Sequence, residues 1–210
     1  MSLVQTLGSA VNGGAETYFL SLTGAFWRAG VTQAAAIRAH KGRENELQSF
    51  GVPTRVLPFS KPFDFTTPGA IGALARAHKA QIIIAWMNRA ASLTPAGPWK
   101  RIGRLGGYYK LKNYRDYDAL VGNTQDIVDW IVREGWPKER AHYIPNFAGR
   151  GHGDKIDRST FDTPIDAPLL LGMGRLHTSK AHDVSLRALT QLPDAYLWIA
   201  GDGPDEAILK

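Results

Sequence analysis

Residues 169–209 read LLLGMGRLHTSKAHDVSLRALTQLPDAYLWIAGDGPDEAIL, the pattern of a strand, a helix and a second strand. The apolar run at 169–173 is followed by a Gly-Arg turn and a helical segment, and the apolar run at 196–200 is followed by Gly-Asp-Gly-Pro. Alternation of this kind is typical of a βαβ unit in a parallel sheet. The stretch therefore predicts an α/β fold.

Glycines and cations follow both of these predicted strands. Arg175 and Lys180 come after the first strand, and Gly201 and Gly203 come after the second. Ligands of open α/β sheets bind beyond the carboxyl ends of the strands. Two cations beside glycine turns suit a diphosphate group, because charge-assisted hydrogen bonds to phosphate are strong. An exposed cation pair in a solvated turn is the alternative.

The same alternation continues upstream through the rest of the chain. The predicted strands lie at residues 3–7, 31–37, 55–57, 81–85, 119–121 and 141–144. The predicted helices lie at residues 15–29, 44–50, 68–79 and 124–134. This order indicates a doubly wound, Rossmann-like parallel sheet in the first part of the chain and an incomplete second sheet of the same kind at its end.

A boundary between two domains is predicted at residues 149–162. This stretch, GRGHGDKIDRSTFD, is rich in glycine and charge and poor in apolar residues, as linkers are. Domain one then covers residues 1–148 and domain two covers residues 163–210. Domain two is too short to bury a core of its own, since chains of about 60 residues are already marginal. We therefore expect the chain to be a fragment of a longer protein.

Composition restricts the function classes that need to be considered. The chain has no cysteine, which excludes disulfides and thiolate metal sites and fits a reducing cytoplasm. No apolar run approaches the roughly 20 residues that span a bilayer, and the first residues lack the features of a signal peptide. The formal net charge of +6 points to an anionic partner: a nucleotide, a phosphorylated glycolipid, a membrane surface or a nucleic acid.

Three further motifs, taken together with the Gly-Arg turn, resemble those of one enzyme family. They are Gly-Gly-Ala-Glu at 13–16, Arg-Leu-Gly-Gly-Tyr-Tyr at 104–109 and Ile-Pro-Asn-Phe at 144–147. Their order and spacing resemble family 4 glycosyltransferases, and the segment 104–147 resembles the bacterial branch that acts on lipopolysaccharide core sugars. These are retaining, metal-independent enzymes with two Rossmann-like domains, the GT-B fold. The resemblance covers nearly the whole chain.

The resemblance implies a donor site for a nucleotide diphosphate sugar. Arg175 and Lys180 would be catalytic, because two cations neutralise the diphosphate that leaves as the donor bond breaks; no metal and no cofactor is then expected. The family's paired glutamates, which complete the donor pocket, would lie beyond Lys210. His177 and His182, on either side of Lys180, are expected in a solvated loop. The expected donor-binding residues are Gly13, Gly14, Gly174, Arg175, Lys180, Gly201 and Gly203.

Acceptor contacts are expected after a buried strand and in a basic segment. Asn88 and Arg89 follow the strand predicted at 81–85, with helix capping as the alternative role of Asn88. The segment 99–115 interleaves cations with aromatic residues and has no acid. It suits a phosphorylated acceptor or an anionic membrane, with a solvated face as the alternative and nucleic acid least favoured. We expect acceptor contacts from Arg104, Tyr108 and Tyr109, and a membrane or anion patch of Lys100, Arg101, Arg104, Lys110 and Lys112.

Three functions compete on this evidence. The leading hypothesis is a glycosyltransferase that moves a sugar, with retention, from a nucleotide diphosphate sugar to a glycolipid or lipopolysaccharide-core acceptor at the cytoplasmic face of the cell membrane. The second is a nucleotide- or anion-binding module without catalysis. The third, a nicotinamide-dependent oxidoreductase, is disfavoured because the first glycine loop does not read G-x-G-x-x-G. We expect the fragment by itself to be inactive.

Overall fold

The computed structural model describes residues 1–60, 63–147 and 154–210 of the chain. The chain divides into two compact units, Met1–Gly149 and Arg150–Lys210. Each unit is built on a parallel sheet, with helices in the connections between its strands. The predicted α/β fold class is therefore confirmed.

The first unit has a seven-stranded parallel sheet in the order β3-β2-β1-β4-β5-β6-β7. The strands are β1 (Ser2–Leu7), β2 (Thr32–Ile37), β3 (Thr54–Val56), β4 (Ile82–Trp86), β5 (Lys100–Leu105), β6 (Ala119–Gly122) and β7 (Ala141–Tyr143). The helices are α1 (Gly14–Arg28), α2 (Lys41–Ser49), α3 (Thr66–Ala77), α4 (Met87–Ala91) and α5 (Gln125–Arg133). The direction of winding reverses between β1 and β4, which is where open α/β sheets bind ligands.

Helices pack on both faces of this sheet. Since successive side chains of a strand point to opposite faces, one strand contributes residues to two separate cores. Ala34 of β2 belongs to the core that also contains Ile71 of α3. Its neighbour Ala35 belongs to the core on the other side, which contains Phe19 of α1. A strand that is buried on both faces has a nearly continuous apolar sequence, which is why β2 was predictable from the sequence.

Strand β5 lies where the sequence pattern predicts no strand. Its residues read KRIGRL, and the three cations in this stretch interrupt the alternation of apolar and polar residues that marks a strand. The strand pairs in parallel with β4 and β6, with Ile102 opposite Ile84 and Ala119. A side chain at Gly103 would lie 2.7 Å from atoms of Leu120 and Tyr114, so the sheet closes tightly here. Neighbouring segments, and not local periodicity, make this stretch a strand.

The second unit contains the βαβ unit that residues 169–209 predict. Strands β8 (Leu169–Met173) and β9 (Tyr196–Ala200) pair in parallel, joined by α6 (His182–Leu189) and followed by α7 (Glu206–Leu209). Leu171 and Met173 are 59% and 75% exposed, and they line an apolar concavity of about 840 Å³. Residues of the segment 155–163 also line this concavity but leave both of these side chains largely exposed.

The predicted linker at 149–162 falls partly outside the described residues, which omit 148–153. Its later part is structured. Arg158–Phe161 forms a short 3-10 turn, and the Phe161 ring packs edge-on against Trp198 of β9 at 5.0 Å. The Trp198 indole N–H also donates to the Thr163 hydroxyl over 2.9 Å. Residues 158–163 therefore pack as part of the second unit.

Candidate functional site

A cleft of about 520 Å³ opens at the carboxyl ends of β1 and β4, where the winding of the first sheet reverses. Its walls come from the loop after β1, the first turn of α1, the junction of β4 with α4, and the loop after β5. The polar side chains that line it are Ser9, Glu16, Arg38, Asn88, Arg89 and Tyr109. A concave site with a few convergent polar groups at a switch point is where a ligand is expected.

Glu16 is the buried carboxylate of this cleft. It lies in the first turn of α1 and is only 6% exposed. The ion pairs of the described residues do not include it, and neither do their side-chain hydrogen bonds. Burial raises the pKa of Tyr109, and the charge of Glu16 raises it further. The carboxylate is thus a free hydrogen-bond acceptor inside the cleft.

In the Gly-Gly-Ala-Glu motif, Gly13 and Gly14 are predicted from the sequence to bind the donor, and Glu16 is not among the predicted site residues. The structure gives the two glycines different surroundings. A methyl group on Gly14 would meet nothing within 4 Å, whereas one on Gly13 would lie 2.9 Å from a Glu16 carboxylate oxygen. The signal available in the sequence was a carboxylate two residues after a glycine pair at a helix start.

Arg43 of α2 holds the loop after β1 in place. It is 1% exposed, and its guanidinium donates to the backbone oxygens of Ser9 and Val11 over 2.8 and 3.0 Å. Burial lowers the pKa of Arg43, and the nearby charge of Glu16 opposes that shift. The hydrogen bonds from Arg43 therefore hold the loop that forms one wall of the cleft.

Asn88 and Arg89 both line the cleft, as the acceptor hypothesis requires. Helix α4 begins at Met87 without a side-chain cap, so the capping alternative for Asn88 is wrong. The Asn88 side-chain oxygen instead accepts from Asn113 over 2.6 Å, and Arg89 donates to the Phe59 backbone oxygen over 3.0 Å. Met87 has a φ of 60°, and such strained residues concentrate at functional sites.

Arg104 does not lie on an exposed basic face. It is 6% exposed, and it donates to the Ile144 backbone oxygen over 2.7 Å and to the Asn146 side-chain oxygen over 2.6 Å. Its guanidinium also lies over the Tyr18 ring at 5.1 Å, and burial lowers its pKa. Arg104 therefore has to be removed from the predicted membrane patch, because its charge is enclosed and its donors are engaged.

The remaining cations of that predicted patch lie at opposite ends of β5. Lys100 begins the strand and pairs with Asp118 at 2.8 Å, and Arg101 donates to the Asp116 backbone oxygen over 2.6 Å. Lys110 and Lys112 follow the other end of the strand. At roughly 3.3 Å per residue, the six-residue strand separates the two pairs by about 16 Å. The predicted patch is therefore not one continuous surface.

The two tyrosines of the basic segment also separate. Tyr109 lines the cleft. Tyr108 is 63% exposed, donates a hydrogen bond to Asp126 of α5, and packs edge-on against Trp130 at 5.3 Å. Of these two tyrosines, both expected to contact an acceptor, only Tyr109 is placed in the cleft.

In the second unit, backbone hydrogen bonds fasten the loop that carries Arg175. The Gly174 N–H donates to the Ala200 oxygen over 3.0 Å, and the Leu176 N–H donates to the Asp202 oxygen over 2.7 Å. Arg175 stands between these two anchors with an exposed side chain. The Lys180 side chain passes 3.8 Å from the position that a methyl group on Gly174 would occupy. The Lys180 side chain therefore runs beside the residue that precedes Arg175, and both cations are exposed.

Gly201 and Gly203 make this contact between the two loops possible. A methyl group on Gly201 would overlap the Gly174 backbone oxygen, and one on Gly203 would overlap the backbone of Leu176. These close approaches explain both glycines without a ligand. A role in binding phosphate, which the sequence analysis assigns to them, would come in addition to this packing role.

His182 is not in a solvated loop, contrary to the expectation. It is 6% exposed, and its Nε2 atom has no hydrogen-bond partner among the described residues. His177 behaves differently, since its Nδ1 accepts from the Ser179 N–H over 3.1 Å and so caps the short turn before α6. Both histidines shape the loop that carries the two cations.

Two other kinds of site were sought in the described part of the chain. Within residues 1–60, 63–147 and 154–210, no three His, Asp or Glu side chains gather in a way that could hold a metal ion. Over the same ranges, none of the helices is both long enough and apolar enough to cross a bilayer.

Sequence comparison relates the chain to two curated enzymes of Rhizobium meliloti (strain 1021). The chain is 34% identical over 208 residues to the lipopolysaccharide core biosynthesis glycosyltransferase LpsE, a match that covers 92% of the chain. It is 31% identical over 204 residues to the lipopolysaccharide core biosynthesis glycosyltransferase LpsD, covering 94%. The chain spans 58% of the length of each relative. No protein-family model matches the chain.

Solved glycosyltransferases have the same fold at low sequence identity. A glycosyltransferase from Rickettsia africae ESF-5 matches with a TM-score of 0.78 and 16% identity, over 96% of this chain and 60% of that one. Anabaena Alr3699/HepE, solved in complex with UDP, matches with a TM-score of 0.73 and 15% identity, over 97% and 62%. The chain therefore has the GT-B type of fold seen in these glycosyltransferases, and its sequence is similar to lipopolysaccharide core biosynthesis enzymes along nearly all of its own length.

Proposed function

We propose that this chain belongs to a glycosyltransferase that moves a sugar from a nucleotide diphosphate sugar to a lipopolysaccharide-core or related glycolipid acceptor, with retention of configuration. The observation that carries the proposal is the similarity to LpsE and LpsD over 92% and 94% of the chain. A nucleotide- or anion-binding module without catalysis is the second candidate, since the exposed cations Arg175 and Lys180 suit an anion whether or not transfer follows.

The donor diphosphate is assigned to the loop after β8. Arg175 and Lys180 are both exposed, on a segment whose backbone hydrogen bonds hold residues 174, 176 and 180 in position. Two preorganised cations stabilise the negative charge that develops on a leaving diphosphate, which makes a metal ion unnecessary. The solved complex of HepE with UDP supports a nucleotide of this kind.

The acceptor is assigned to the cleft at the carboxyl ends of β1 and β4. Sugars present many hydroxyl groups, which donate to carboxylates and amide oxygens and accept from cations. The cleft offers that mixture in Glu16, Asn88, Arg89 and Tyr109. Gly14, at the start of α1, leaves open space, since a methyl group there would meet nothing within 4 Å.

The test is a transferase assay on the longer protein and on the 210-residue chain. A panel of UDP sugars is offered with truncated core oligosaccharides, with and without a chelator, and products are read by mass spectrometry and by NMR of the new anomeric proton. We expect retained configuration and chelator-resistant transfer by the longer protein, and none by this chain. Nucleotide binding without transfer by the longer protein would favour the non-catalytic module, and rescue of chelated enzyme by magnesium would contradict the metal-free chemistry.

A further inference from the structure

The loop between β3 and α3 exposes two phenyl rings. Phe63 and Phe65 are 79% and 85% exposed, the highest values among the aromatic side chains of the described residues. We call residues 63–65 the aromatic loop. Isolated exposed apolar residues are ordinary on protein surfaces, but two large rings on one loop are unusual and mark an interaction surface.

Asp64, between the two rings, holds the aromatic loop in a defined shape. Its carboxylate is 8% exposed and accepts from the Thr67 N–H over 2.9 Å, the Thr67 hydroxyl over 2.6 Å and the Ser60 N–H over 2.9 Å. It also accepts from the Thr66 hydroxyl over 3.2 Å. Because the central side chain is fastened inward, the rings on either side of it are presented outward by an ordered loop.

The aromatic loop lies at the same edge of the sheet as the cleft. The aromatic loop follows the carboxyl end of β3. The exposed Lys41 follows the carboxyl end of β2, which is the neighbour of β3, and the exposed Lys110 and Lys112 follow the carboxyl end of β5. Upstream of the rings, the buried Phe59 accepts a hydrogen bond from Arg89 of the cleft through its backbone oxygen. Exposed rings and cations therefore share the edge onto which the cleft opens.

We propose that the aromatic loop inserts Phe63 and Phe65 into an anionic lipid bilayer and docks this edge of the first unit on the membrane. Phenyl rings gain from burial in the interfacial region, and the lysines that follow the carboxyl ends of β2 and β5 gain from the negative surface potential. A protein partner is less well suited, since the rings project from a tip instead of lining a groove. If the proposed function holds, docking brings the cleft to an acceptor that is itself anchored in lipid; the docking does not depend on that function.

The first experiment measures flotation of the 210-residue chain with vesicles of phosphatidylcholine and phosphatidylglycerol in equal parts. We expect the chain to float, and Phe63→Ser with Phe65→Ser to lower its partition coefficient by about tenfold or more. The matched control is Met173→Ser, which removes a 75% exposed apolar side chain from the second unit and should float like the unaltered chain. Lysine charge reversal at Lys41 should weaken flotation at low salt and matter less at high salt.

The second experiment uses the absence of cysteine from the chain. Phe63→Cys and, separately, Met173→Cys give single labelling sites for an environment-sensitive fluorophore. We expect a blue shift and increased emission on vesicles at position 63 and not at position 173. Equal flotation of the double serine variant, unchanged emission at position 63, or lipid-free dimerisation that the serine variant abolishes would each overturn the membrane assignment, the last in favour of a second copy of this chain.

Discussion

Arg43, Arg104 and Arg175 carry the same guanidinium group in different environments. Arg43 and Arg104 are 1% and 6% exposed, and each donates to backbone oxygens of a neighbouring segment. Burial lowers the pKa of both. Arg175 is exposed on a loop whose flanking residues are fixed. Buried guanidinium groups that donate to backbone oxygens hold neighbouring segments together, although the Nε of Arg43 has no partner among the described residues, whereas an exposed guanidinium on a rigid loop is available to a ligand.

Arg175→Ala should weaken binding of a nucleotide diphosphate without destabilising the fold. A charge-assisted contact to phosphate is worth roughly 1.5–3 kcal/mol, about ten- to a hundredfold in affinity. Calorimetry with UDP on the longer protein measures this loss. Arg187→Ala is the matched control, because Arg187 is an exposed arginine of α6 that pairs with Asp183 at 2.8 Å. Equal UDP affinities of the two variants would remove Arg175 from the site.

Glu16→Gln should lower the pKa of Tyr109. Burial and the charge of Glu16 both raise that pKa, so removing the charge shifts it towards the ordinary value, while burial keeps it above that value. An NMR titration of ring-labelled tyrosines measures the shift. Tyr108 serves as the internal control, since its pKa is raised first by its hydrogen bond to Asp126. An unchanged Tyr109 titration would show that Glu16 does not face it.

At the scale of elements, caps and close approaches set the ends of helices and the packing of loops. Helix α3 starts at Thr66, two residues before the start that the sequence pattern predicts, and α2 starts at Lys41, where the pattern predicts residue 44. The His40 ring accepts from the Arg43 N–H over 3.2 Å and so caps α2. Asp64, two residues before the first residue of α3, caps this helix by accepting from the Thr67 N–H. Histidine and a displaced aspartate are weaker sequence signals than a Ser or Thr directly at the cap.

Asp64→Asn should make the first unit less stable at neutral pH and less sensitive to acid. Burial alone would raise the pKa of Asp64, but hydrogen bonds from Thr67, Ser60 and Thr66 outweigh it and lower the pKa. A carboxyl with a lowered folded-state pKa stabilises the fold above its unfolded pKa of about 3.9, and this is lost as pH falls through the folded value. Asparagine keeps one acceptor oxygen but replaces the other with a donor, so the hydrogen bonds to one of the two oxygens are lost or weakened, at a cost of about 1–3 kcal/mol.

Urea unfolding at a series of pH values tests this prediction. The unaltered chain should lose stability between pH of about 4 and the lower folded-state pKa, and Asp64→Asn should show a flatter profile there. Asp162→Asn is a control on a different, exposed turn whose carboxyl accepts no cap hydrogen bond in the described structure. Parallel pH profiles for the unaltered chain and Asp64→Asn would contradict the role of Asp64.

Gly201→Ala should destabilise the second unit, while Gly14→Ala should leave the fold intact. The methyl group at 201 would overlap the Gly174 backbone oxygen, so the two loops must separate, and overpacking of this kind costs about 1–3 kcal/mol. The methyl group at 14 meets nothing within 4 Å. Limited proteolysis followed by mass spectrometry locates the effect. Equal protease resistance of both variants would show that the loops do not need their close contact.

At the scale of the whole molecule, the two units differ in how completely they bury their strands. In the first unit, β2 and β4 are enclosed between helices on both faces. In the second, the strand residues Leu170, Leu171 and Met173 are 45%, 59% and 75% exposed. Apolar strand faces of this kind tend to pair with other chains. The second unit is therefore where association is expected.

Leu171→Ser with Met173→Ser should reduce self-association of the 210-residue chain. The substitutions remove apolar area from the uncovered face of β8 and leave the first unit untouched. Analytical ultracentrifugation over a range of concentrations gives the monomer fraction. A matched variant, Trp27→Ser, alters a 52% exposed side chain on α1 and should associate like the unaltered chain. Equal association of all three proteins would place the contact elsewhere.

Most strand and helix positions, and the loop that carries Arg175, follow from local patterns, because apolar periodicity and glycine turns act over a few neighbouring residues. Those patterns were sufficient for the α/β class, the βαβ unit at 169–209 and the presence of Asn88 and Arg89 in the cleft. Local patterns could not predict β5, whose cations mask its alternation until β4 and β6 enclose it. The burial of Arg104 likewise depends on Ile144 and Asn146, which are distant in the chain. The inward position of the Glu16 carboxylate depends on the loop after β5, which lines the same cleft. Tertiary packing alone decided which charges are enclosed and which are free, since burial is set by long-range contacts that a local sequence window does not contain.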